Sequence, residues 1–451
     1  MHNTEILTSA HDLVRHFQSI NPQENLYVGI EVEKSGIYRH TLDCVQYDGE
    51  GGYMDVMQKL VDELGWKIES RNEDAIYELS RGETSITTEV DGRPELTGSP
   101  QKSLHDLARE LRLHDNELIE IGNVFNIAWL PLGLHPLASN DDIRMLPKRR
   151  YEIFMEHDSS AWMHTWLKRM NGIHSNLSYT DEENLIVKTQ TAFRVLPIVA
   201  AMFASSPFDF GKPSGYINTR RYLTKKDPPV PTALPSTILD EDFSLMKWIE
   251  HYVGLQVLLI KESDGADIRP ENLTFSQWIS EGYEGRFPSV FDFDQHVKTI
   301  WSDLRLRPSY IENRVADSNP YPLAMSHAAL MKGLLMSSQS WNMVKKMTKG
   351  WTYEEILDLD IRASKEGLSA TMRNRPLLSY AQELIIIANE SLHSFSNTDA
   401  SDNNESIFLA PLKEQILIKE KSPSEELLEL WEGPWNKDAR RILEWCEEAQ
   451  G

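Results

Sequence analysis

The sequence predicts an α+β fold in a single catalytic domain that spans residues 1–451. Segments that alternate apolar and polar residues dominate the first half, while segments with helical spacing dominate the chain from about residue 323. No shift in composition marks a boundary between domains. With 451 residues and 40% hydrophobic content, the chain can bury a large core.

In the first half, strand candidates and helix candidates alternate. The strand candidates are residues 26–33, 66–68, 75–79, 85–89, 125–134 and 171–179. The helix candidates are residues 5–18, 52–65, 99–121 and 182–205. Gly65 suits the end of the second helix, and Ser99 followed by Pro100 suits the start of the third.

The second half is predicted to be mainly helical. Its helix candidates are residues 242–260, 323–346, 353–365, 377–393 and 424–450. Clustered prolines predict a loop over residues 227–235, because proline removes backbone donors and blocks helix. Residues 394–405 are polar and poor in core formers, so we expect an exposed loop there.

Net charge and cysteine content narrow the class of protein. A formal net charge of −23 argues against nucleic acid or an anionic membrane as a partner, and leaves small molecules as the expected partners. The two cysteines, Cys44 and Cys446, suit a reducing compartment and provide no disulfide framework. We see no signal peptide and no stretch of about 20 apolar residues, so we expect a cytoplasmic protein.

The first strand candidate, residues 26–33, carries two carboxylates on one face. Side chains alternate along a strand, so Glu31 and Glu33 would lie about 7 Å apart. Two like charges at that distance need a cation between them or free access to water. The strand therefore indicates either a divalent-metal site or a half-exposed surface with solvated glutamates.

Three further β-like segments repeat this pattern of polar donors between apolar residues. They contribute Glu89 and Glu95, His174 and Asn176, and Glu312 and Arg314. Each segment alone could be an ordinary solvated strand, but the recurrence favours a shared site. Carboxylates with one imidazole suit Mg²⁺ or Mn²⁺ better than zinc or an iron–sulfur cluster.

Basic residues form a second set. They are Lys148, Arg149, Arg150, Lys212, Arg220, Arg221, Arg305 and Arg307. Because the planar guanidinium group of arginine matches carboxylates and phosphates, these residues are candidates for holding an acidic substrate or a transferred phosphoryl group. The alternative for residues 148–150 is an ordinary basic surface turn.

Five motifs in order resemble the glutamate–cysteine ligases of the plant and proteobacterial branch. Residues 26–33 look like the family's G-x-E-x-E strand, and residues 87–98 align without gaps on S-L-E-P-G-G-Q-F-E-L-S-G. Residues 143–151 are similar to I-P-x-M-P-K-x-R-Y, residues 204–220 to A-N-S-P-F-x-x-G-K-P-N-G-Y-L-S-x-R, and residues 310–317 to Y-x-E-x-R-G-A-D.

The resemblance implies a glutamine-synthetase-like funnel of antiparallel strands walled by helices. It also implies that the γ-carboxyl group of L-glutamate is activated by ATP as γ-glutamyl phosphate and then attacked by the amino group of L-cysteine, the first step of glutathione synthesis. Magnesium, or manganese, would hold the phosphates. The implied metal ligands are Glu31, Glu33, Glu89, Glu95, His174 and Glu312.

The resemblance also assigns roles to the remaining polar residues. It implies that Arg220 and Arg314 stabilise the transferring phosphoryl group. Arg150, Asn176 and Lys212 would bind substrate.

The chain departs from the family pattern around these residues. At positions 90, 91, 93 and 94 the residues Val, Asp, Arg and Pro replace P, G, Q and F, and residues 171–176 (NGIHSN) replace C-T-V-Q-V-N. The departures leave three alternatives open. The acceptor could be another amine, the chain could be a weakly catalytic nucleotide- or metabolite-binding relative, or it could be a metal-dependent hydrolase that needs no ATP.

Overall fold

The computed structural model describes residues 5–19, 26–225, 232–262, 265–395 and 397–450. Its strands are β1 (Val28–Glu33), β2 (Ser35–Tyr38), β3 (Lys67–Arg71), β4 (Ile76–Arg81), β5 (Thr84–Thr88), β6 (Pro94–Thr97), β7 (Ile127–Leu130), β8 (Gly172–Ser178), β9 (Phe208–Asp209), β10 (Lys212–Pro213), β11 (Ile260–Lys261), β12 (Asp267–Ile268), β13 (Leu304–Leu306), β14 (Tyr310–Asp317), β15 (Thr371–Met372) and β16 (Arg375–Pro376).

Its helices follow in the same chain order. They are α1 (Ala10–Ser19), α2 (Tyr53–Leu64), α3 (Leu104–Phe125), α4 (Arg149–His157), α5 (Ala161–Arg169), α6 (Glu182–Met202), α7 (Thr219–Lys225), α8 (Leu245–Gly254), α9 (Phe275–Glu281), α10 (Val290–Val297), α11 (Tyr321–Leu335), α12 (Ser338–Met347), α13 (Tyr353–Glu366), α14 (Leu377–Ser394), α15 (Ala410–Lys413), α16 (Pro423–Glu432) and α17 (Arg440–Glu448).

An eight-stranded antiparallel sheet positions the polar residues that the sequence singles out. Its strand order is β13-β14-β8-β1-β6-β5-β4-β3, so β1 lies between β8 and β6. The apolar residues of β1, which are Val28, Ile30 and Val32, belong to the main buried core. Helices α3, α6 and α11 pack on strands of this sheet. The predicted α+β class is confirmed.

Helix α3 begins later than the sequence predicts. Ser103, not Ser99, caps it, because the Ser103 side chain accepts a hydrogen bond from the backbone N–H of His105. The hydroxyl of Ser99 instead donates to Oε1 of Glu110, at 2.8 Å. Ser99, which precedes a proline, is therefore not the cap here, because the Glu110 carboxylate, about two turns into the helix, binds it.

Three predicted long helices are shorter or divided. The segment 323–346 forms α11 and α12, and 424–450 forms α16 and α17. Between α16 and α17, Asn436 and Lys437 have positive φ angles of 49° and 64°, which a continuous helix excludes. The segment 242–260 is helical only over α8, and its last residue already lies in β11.

The predicted polar loop at 394–405 is exposed over most of its described length but not at its end. Glu405 is fully buried and accepts a hydrogen bond from the backbone N–H of Leu104 at 2.7 Å. Nζ of Lys332 lies 2.7 Å from the same carboxylate. Leu104 is the first residue of α3, where a carboxylate is favoured by the unpaired N–H groups and the helix dipole. Of the proline-rich segment 227–235, residues 227–231 lie outside the described residues.

Helix α6 has the length and apolar composition of a membrane span, although the sequence prediction held that no stretch did. Within its most apolar window, 78% of the residues are buried inside the protein. The helix packs against α12, α13, α14 and β14. The core helix of a folded domain has the same composition, because it is apolar on every side.

The variant Gly333→Ala tests the close packing of α11 on α14. A Cβ atom there would lie 2.7 Å from the carbonyl oxygen of Ala388 and 2.8 Å from its Cα and Cβ atoms. We expect Gly333→Ala to lower the free energy of unfolding by about 1–3 kcal/mol, because overpacking outweighs the gain in helix propensity. Urea unfolding followed by circular dichroism measures this change.

Gly254→Ala is the matched control for that variant. Gly254 ends α8, and nothing lies within 4 Å of the position where its Cβ would stand. Here only helix propensity changes, so we expect equal or higher stability, by up to about 1 kcal/mol. Equal effects of the two substitutions would contradict the close contact between α11 and α14.

Candidate active site

The register of the sheet places the predicted polar residues on one face. Glu31 is paired with His174 of β8, and Glu33 is paired with Glu95 of β6. On the far side of β8, Glu312 of β14 is paired with Asn176. Alternation along each strand sends these side chains to the same side, opposite the buried apolar residues.

His174 lies at the centre of this face and is 2% exposed. Its Nδ1 lies 2.8 Å from Glu31 Oε2, 3.4 Å from Glu312 Oε1 and 4.0 Å from Glu95 Oε1. Its Nε2 lies 3.8 Å from Glu33 Oε1. One imidazole therefore faces four carboxylates from three neighbouring strands.

Two overlapping groups of these side chains have the composition of a metal site. Glu31, Glu95 and His174 form the first group, and Glu33, Glu89 and Glu95 form the second. Within each group, one ligand atom from each residue lies within 4.8 Å of those from the others. We call these groups the first and the second metal position. Glu95 belongs to both.

The electrostatics of the cluster fit a divalent cation. Burial raises the pKa of Glu95 well above its usual value, and the neighbouring Glu89, Glu33 and Glu31 carboxylates raise it further. Burial and Glu33 likewise raise the pKa of Glu89. Carboxylates crowded in this way repel one another unless positive charge separates them. Oxygen donors with one imidazole match Mg²⁺ or Mn²⁺.

Glu312 differs from the other carboxylates because two arginines bind it. Burial alone would raise its pKa, but the guanidinium groups of Arg305 and Arg314 hold the pKa of Glu312 well below its usual range. Arg305 Nη1 donates to Glu312 Oε2 at 3.1 Å, and Arg314 donates to Oε1. Glu312 thus stays ionised and fixes Arg314, whose Nη1 lies 3.4 Å from His174 Nδ1.

Arg220, at the start of α7, lies at the other end of the cluster. Its Nη1 is 3.5 Å from Asp317 Oδ1, and its guanidinium donates to the carbonyl oxygens of Arg314, Val315 and Ala316 at 3.3–3.4 Å. These contacts hold the guanidinium beside β14.

Two glycines leave the space that Arg220 and Asp317 occupy. A Cβ atom at Gly172 would stand 2.8 Å from Arg220 Nη2 and 3.1 Å from His174 Nε2. A Cβ atom at Gly133 would stand 2.2 Å from Cγ of Asp317. Neither position can hold a larger residue without moving a polar group of the site.

The metal positions open into a cavity of about 430 Å³. Arg150, Arg220, Arg305 and Arg314 line it together with the acidic residues, and Lys148 and Lys298 add two further cations. Burial lowers the pKa of Lys148 to about 8. The apolar lining of the cavity includes Tyr77, Tyr151, Phe154, Trp166, Leu167, Met170 and Trp301.

Two predicted substrate-binding residues lie apart from this lining. Asn176 is in direct contact with the cluster, since its Nδ2 donates to Glu31 Oε1 at 2.8 Å. Lys212 is exposed on β10, in a two-stranded sheet separate from the main sheet. The structure thus brings Arg150, Asn176 and the predicted metal ligands together, but not Lys212.

Sequence reasoning missed the lining residues that carry no motif. Trp166, Trp301 and Lys298 come from a helix and from the segment that follows α10, and no local pattern marks them. Arg93 was noted only as a departure from the family pattern, yet its Nη2 lies 3.8 Å from both Glu33 Oε2 and Glu89 Oε2. Its place two residues before Glu95, on the turn that carries the ligands, was the available signal.

Glu95→Gln tests whether the carboxylates form a metal site. We expect it to abolish tight Mn²⁺ binding at both positions, measured from the electron paramagnetic resonance signal of free Mn²⁺. With chelator present, the same change is expected to raise the free energy of unfolding, because a neutral amide removes the repulsion from Glu33 and Glu89.

Glu120→Gln makes the same chemical change on the exposed face of α3 and is expected to alter neither quantity. Unchanged Mn²⁺ binding in Glu95→Gln would contradict a site in which this residue is shared.

Curated plant proteins match nearly the whole chain. Glutamate–cysteine ligase A, chloroplastic, of Oryza sativa subsp. indica is 27% identical over 98% of this chain and 88% of its own length. Glutamate–cysteine ligase, chloroplastic, of Solanum lycopersicum is 28% identical over 96% of this chain and 82% of its own. These names place the relatives in the chloroplast. This finding contradicts the cytoplasmic location that the sequence analysis predicted.

A solved structure shares the fold. The glutamate–cysteine ligase of Francisella tularensis in complex with AMP superposes with a TM-score of 0.57 at 14% identity, and the match covers 95% of this chain and 89% of the other. With this likeness, the predicted glutamine-synthetase-like arrangement of an antiparallel sheet walled by helices is confirmed.

A family model decides the assignment. The model described as Glutamate-cysteine ligase family 2 (GCS2) matches residues 27–444. This match confirms the resemblance read from the motifs and the predicted class of enzyme, an ATP-dependent carboxylate–amine ligase. The chain belongs to glutamate–cysteine ligase family 2.

Proposed function

We propose that this chain joins the γ-carboxyl group of L-glutamate to the amino group of L-cysteine. ATP would phosphorylate the γ-carboxyl group to give γ-glutamyl phosphate and ADP, and attack of the amine would then release inorganic phosphate. This reaction is the first step of glutathione synthesis. The observation that carries the proposal is one cavity in which Glu31, Glu33, Glu89, Glu95 and His174 face arginines, in a chain of this family. The proposed catalytic domain spans residues 1–451.

The reaction brings a triphosphate and a carboxylate together in a protein whose net charge is −23. Divalent Mg²⁺, or Mn²⁺, would neutralise the phosphates and orient them when bound at the two metal positions. The carboxylates and His174 supply the donors for it. Glu312, fixed between Arg305 and Arg314, would face the same ions from β14.

Arg314 and Arg220 are the proposed partners of the transferring phosphoryl group. Arg314 is held by Glu312 beside His174, and Arg220 is held by Asp317 beside Gly172. Both line the cavity with the acidic residues. Donors fixed before the reaction stabilise developing charge without the cost of reorganisation.

Arg150 is the best-placed candidate for binding glutamate. It lines the cavity, and burial lowers its pKa. A cation that is desolvated in this way binds a carboxylate more strongly than an exposed one does. Asn176 acts through Glu31, to which it donates. Lys212 lies outside the lining, so we propose no substrate contact for it.

An adenine nucleotide is the proposed second substrate. The Francisella tularensis protein with the same fold is described in complex with AMP, which supports nucleotide binding in this chain. The aromatic side chains of Phe154, Trp166 and Trp301 line the cavity and offer an apolar surface for a base.

A panel of amines tests the reaction and its acceptor. With glutamate, ATP and Mg²⁺ present, we expect ADP release to require an amine and L-cysteine to support the highest kcat/KM. ADP release is measured by a coupled assay and the γ-glutamyl product by mass spectrometry. Turnover with another amine only would overturn cysteine as acceptor and leave the ligase class standing.

Glu31→Gln separates a ligase from a weakly catalytic binding protein. The variant keeps the size of the side chain but removes a ligand of the first metal position, so we expect steady-state turnover to fall at least 100-fold in folded protein. Phosphate release without ADP in the wild-type protein would instead indicate the hydrolase.

Arg314→Lys tests the proposed phosphoryl contact. Lysine keeps the charge but loses the planar pair of donors, so we expect kcat to fall about 100-fold while the KM for ATP changes much less. Arg307→Lys makes the same change at a residue outside the cavity lining and is expected to keep kcat within about twofold of wild type. A rise in KM alone would contradict a role in the transition state.

A further inference from the structure

The turn between β5 and β6 holds a buried ion pair that no role described so far explains. Arg93 is 1% exposed and Asp91 is 3% exposed. Between them Gly92 has a φ angle of +92°, and a Cβ atom there would stand 2.6 Å from Cβ of Tyr47. The turn therefore needs glycine, and it holds the two charged side chains in the position seen.

Three hydrogen bonds fix the Arg93 guanidinium. Its Nη1 donates to Asp91 Oδ1 at 2.6 Å and to the carbonyl oxygen of Lys168 at 3.3 Å, and its Nη2 donates to the carbonyl oxygen of Met170 at 2.6 Å. Its Nε–H donates to no acceptor within the described residues, although this atom is buried. The cation can neither rotate away nor reach solvent.

This fixed cation faces the second metal position. Arg93 Nη2 lies 3.8 Å from both Glu33 Oε2 and Glu89 Oε2, two of its three ligands. A guanidinium at this distance is the counter-charge of the two carboxylates, and it repels any divalent ion that approaches them. Water screens this charge little, because the Arg93 side chain is only 1% exposed.

The first metal position has a different neighbour. Arg314 lies close to His174, but its guanidinium is bound to Glu312, and Glu312 itself faces His174 at 3.4 Å. At the first position, the charge of Arg314 is therefore neutralised by Glu312, a carboxylate that also faces the metal position. Arg93 brings no such carboxylate to the second position, because its partner Asp91 belongs to neither group of metal ligands.

We propose that Arg93 is a positioning residue that acts through Glu33 and Glu89 and keeps the second metal position weakly binding until a triphosphate adds negative charge. The inference rests on the proposed function, since it concerns a metal ion that accompanies ATP. The second ion then enters with the nucleotide rather than before it. Glu33 and Glu89 meanwhile stay close together, because Arg93 offsets their repulsion.

The decisive comparison is between Asp91→Asn and the double variant Asp91→Asn/Arg93→Gln. These two proteins differ only at Arg93, and the double variant leaves no buried charge unpaired in the turn. Binding of Mn²⁺ to nucleotide-free protein is followed by electron paramagnetic resonance. Glu31→Gln and Glu89→Gln, each added separately, assign the binding steps to the first and the second position.

The double variant is expected to bind Mn²⁺ at the Glu89-dependent position at least tenfold more tightly than Asp91→Asn does, with a smaller change at the Glu31-dependent position. Asp91→Asn alone is expected to bind more weakly there than wild type, because Arg93 is then uncompensated. The β,γ-imido analogue of ATP is expected to tighten this position in wild type and to do so less in the double variant. Arg93→Lys keeps the cation and should keep the weak binding.

Equal Mn²⁺ affinity at the Glu89-dependent position in the two proteins would overturn the inference, and so would equal changes at both positions, which a purely structural role predicts. If the double variant does not fold, Asp91→Asn against wild type decides, and unchanged affinity overturns the proposal. Failure of the proposed function has a different signature. In that case neither Glu31→Gln nor Glu89→Gln would change the binding of Mn²⁺.

Discussion

Repulsion among carboxylates on one face of the central sheet is the constraint on which the site depends. The register of β1 with β6 and β8 forces Glu31, Glu33 and Glu95 to lie side by side, and burial strengthens their repulsion. Such a face is stable only with positive charge around it. The chain provides part of this charge permanently, through Arg93 and Arg314, and leaves the rest to be supplied from outside.

Apolar burial on the opposite face of the sheet offsets the free-energy cost of this arrangement. Val28, Ile30 and Val32 alternate with the acidic residues of β1 and belong to the main buried core. Helices α3, α6 and α11 pack on strands of the sheet, so apolar burial holds the strands in register. A slip of one residue would exchange the two faces, which would bury the carboxylates in the core. The core thus fixes the site.

Sequence patterns predicted the strands of the site better than its surroundings. Alternation in residues 26–33 predicted that Glu31 and Glu33 share a face, and alternation in residues 171–179 predicted the same of His174 and Asn176, because strand geometry is local. Alternation could not give the order of strands, and so could not show that Glu95 belongs to both metal positions. Trp301 and Lys298 reach the cavity through tertiary packing alone. The predicted start of α3 was wrong because Glu110, a residue of α3 itself, binds Ser99.

Gly133 and Gly172 have a consequence for how this sequence can diverge. Neither residue has a side chain that could take part in chemistry, yet together they provide the volume in which Asp317 and Arg220 meet beside His174. A methyl group at either position would collide with a charged group rather than with a flexible apolar one. A substitution at Gly133 therefore requires Asp317 to move, and one at Gly172 requires Arg220 to move.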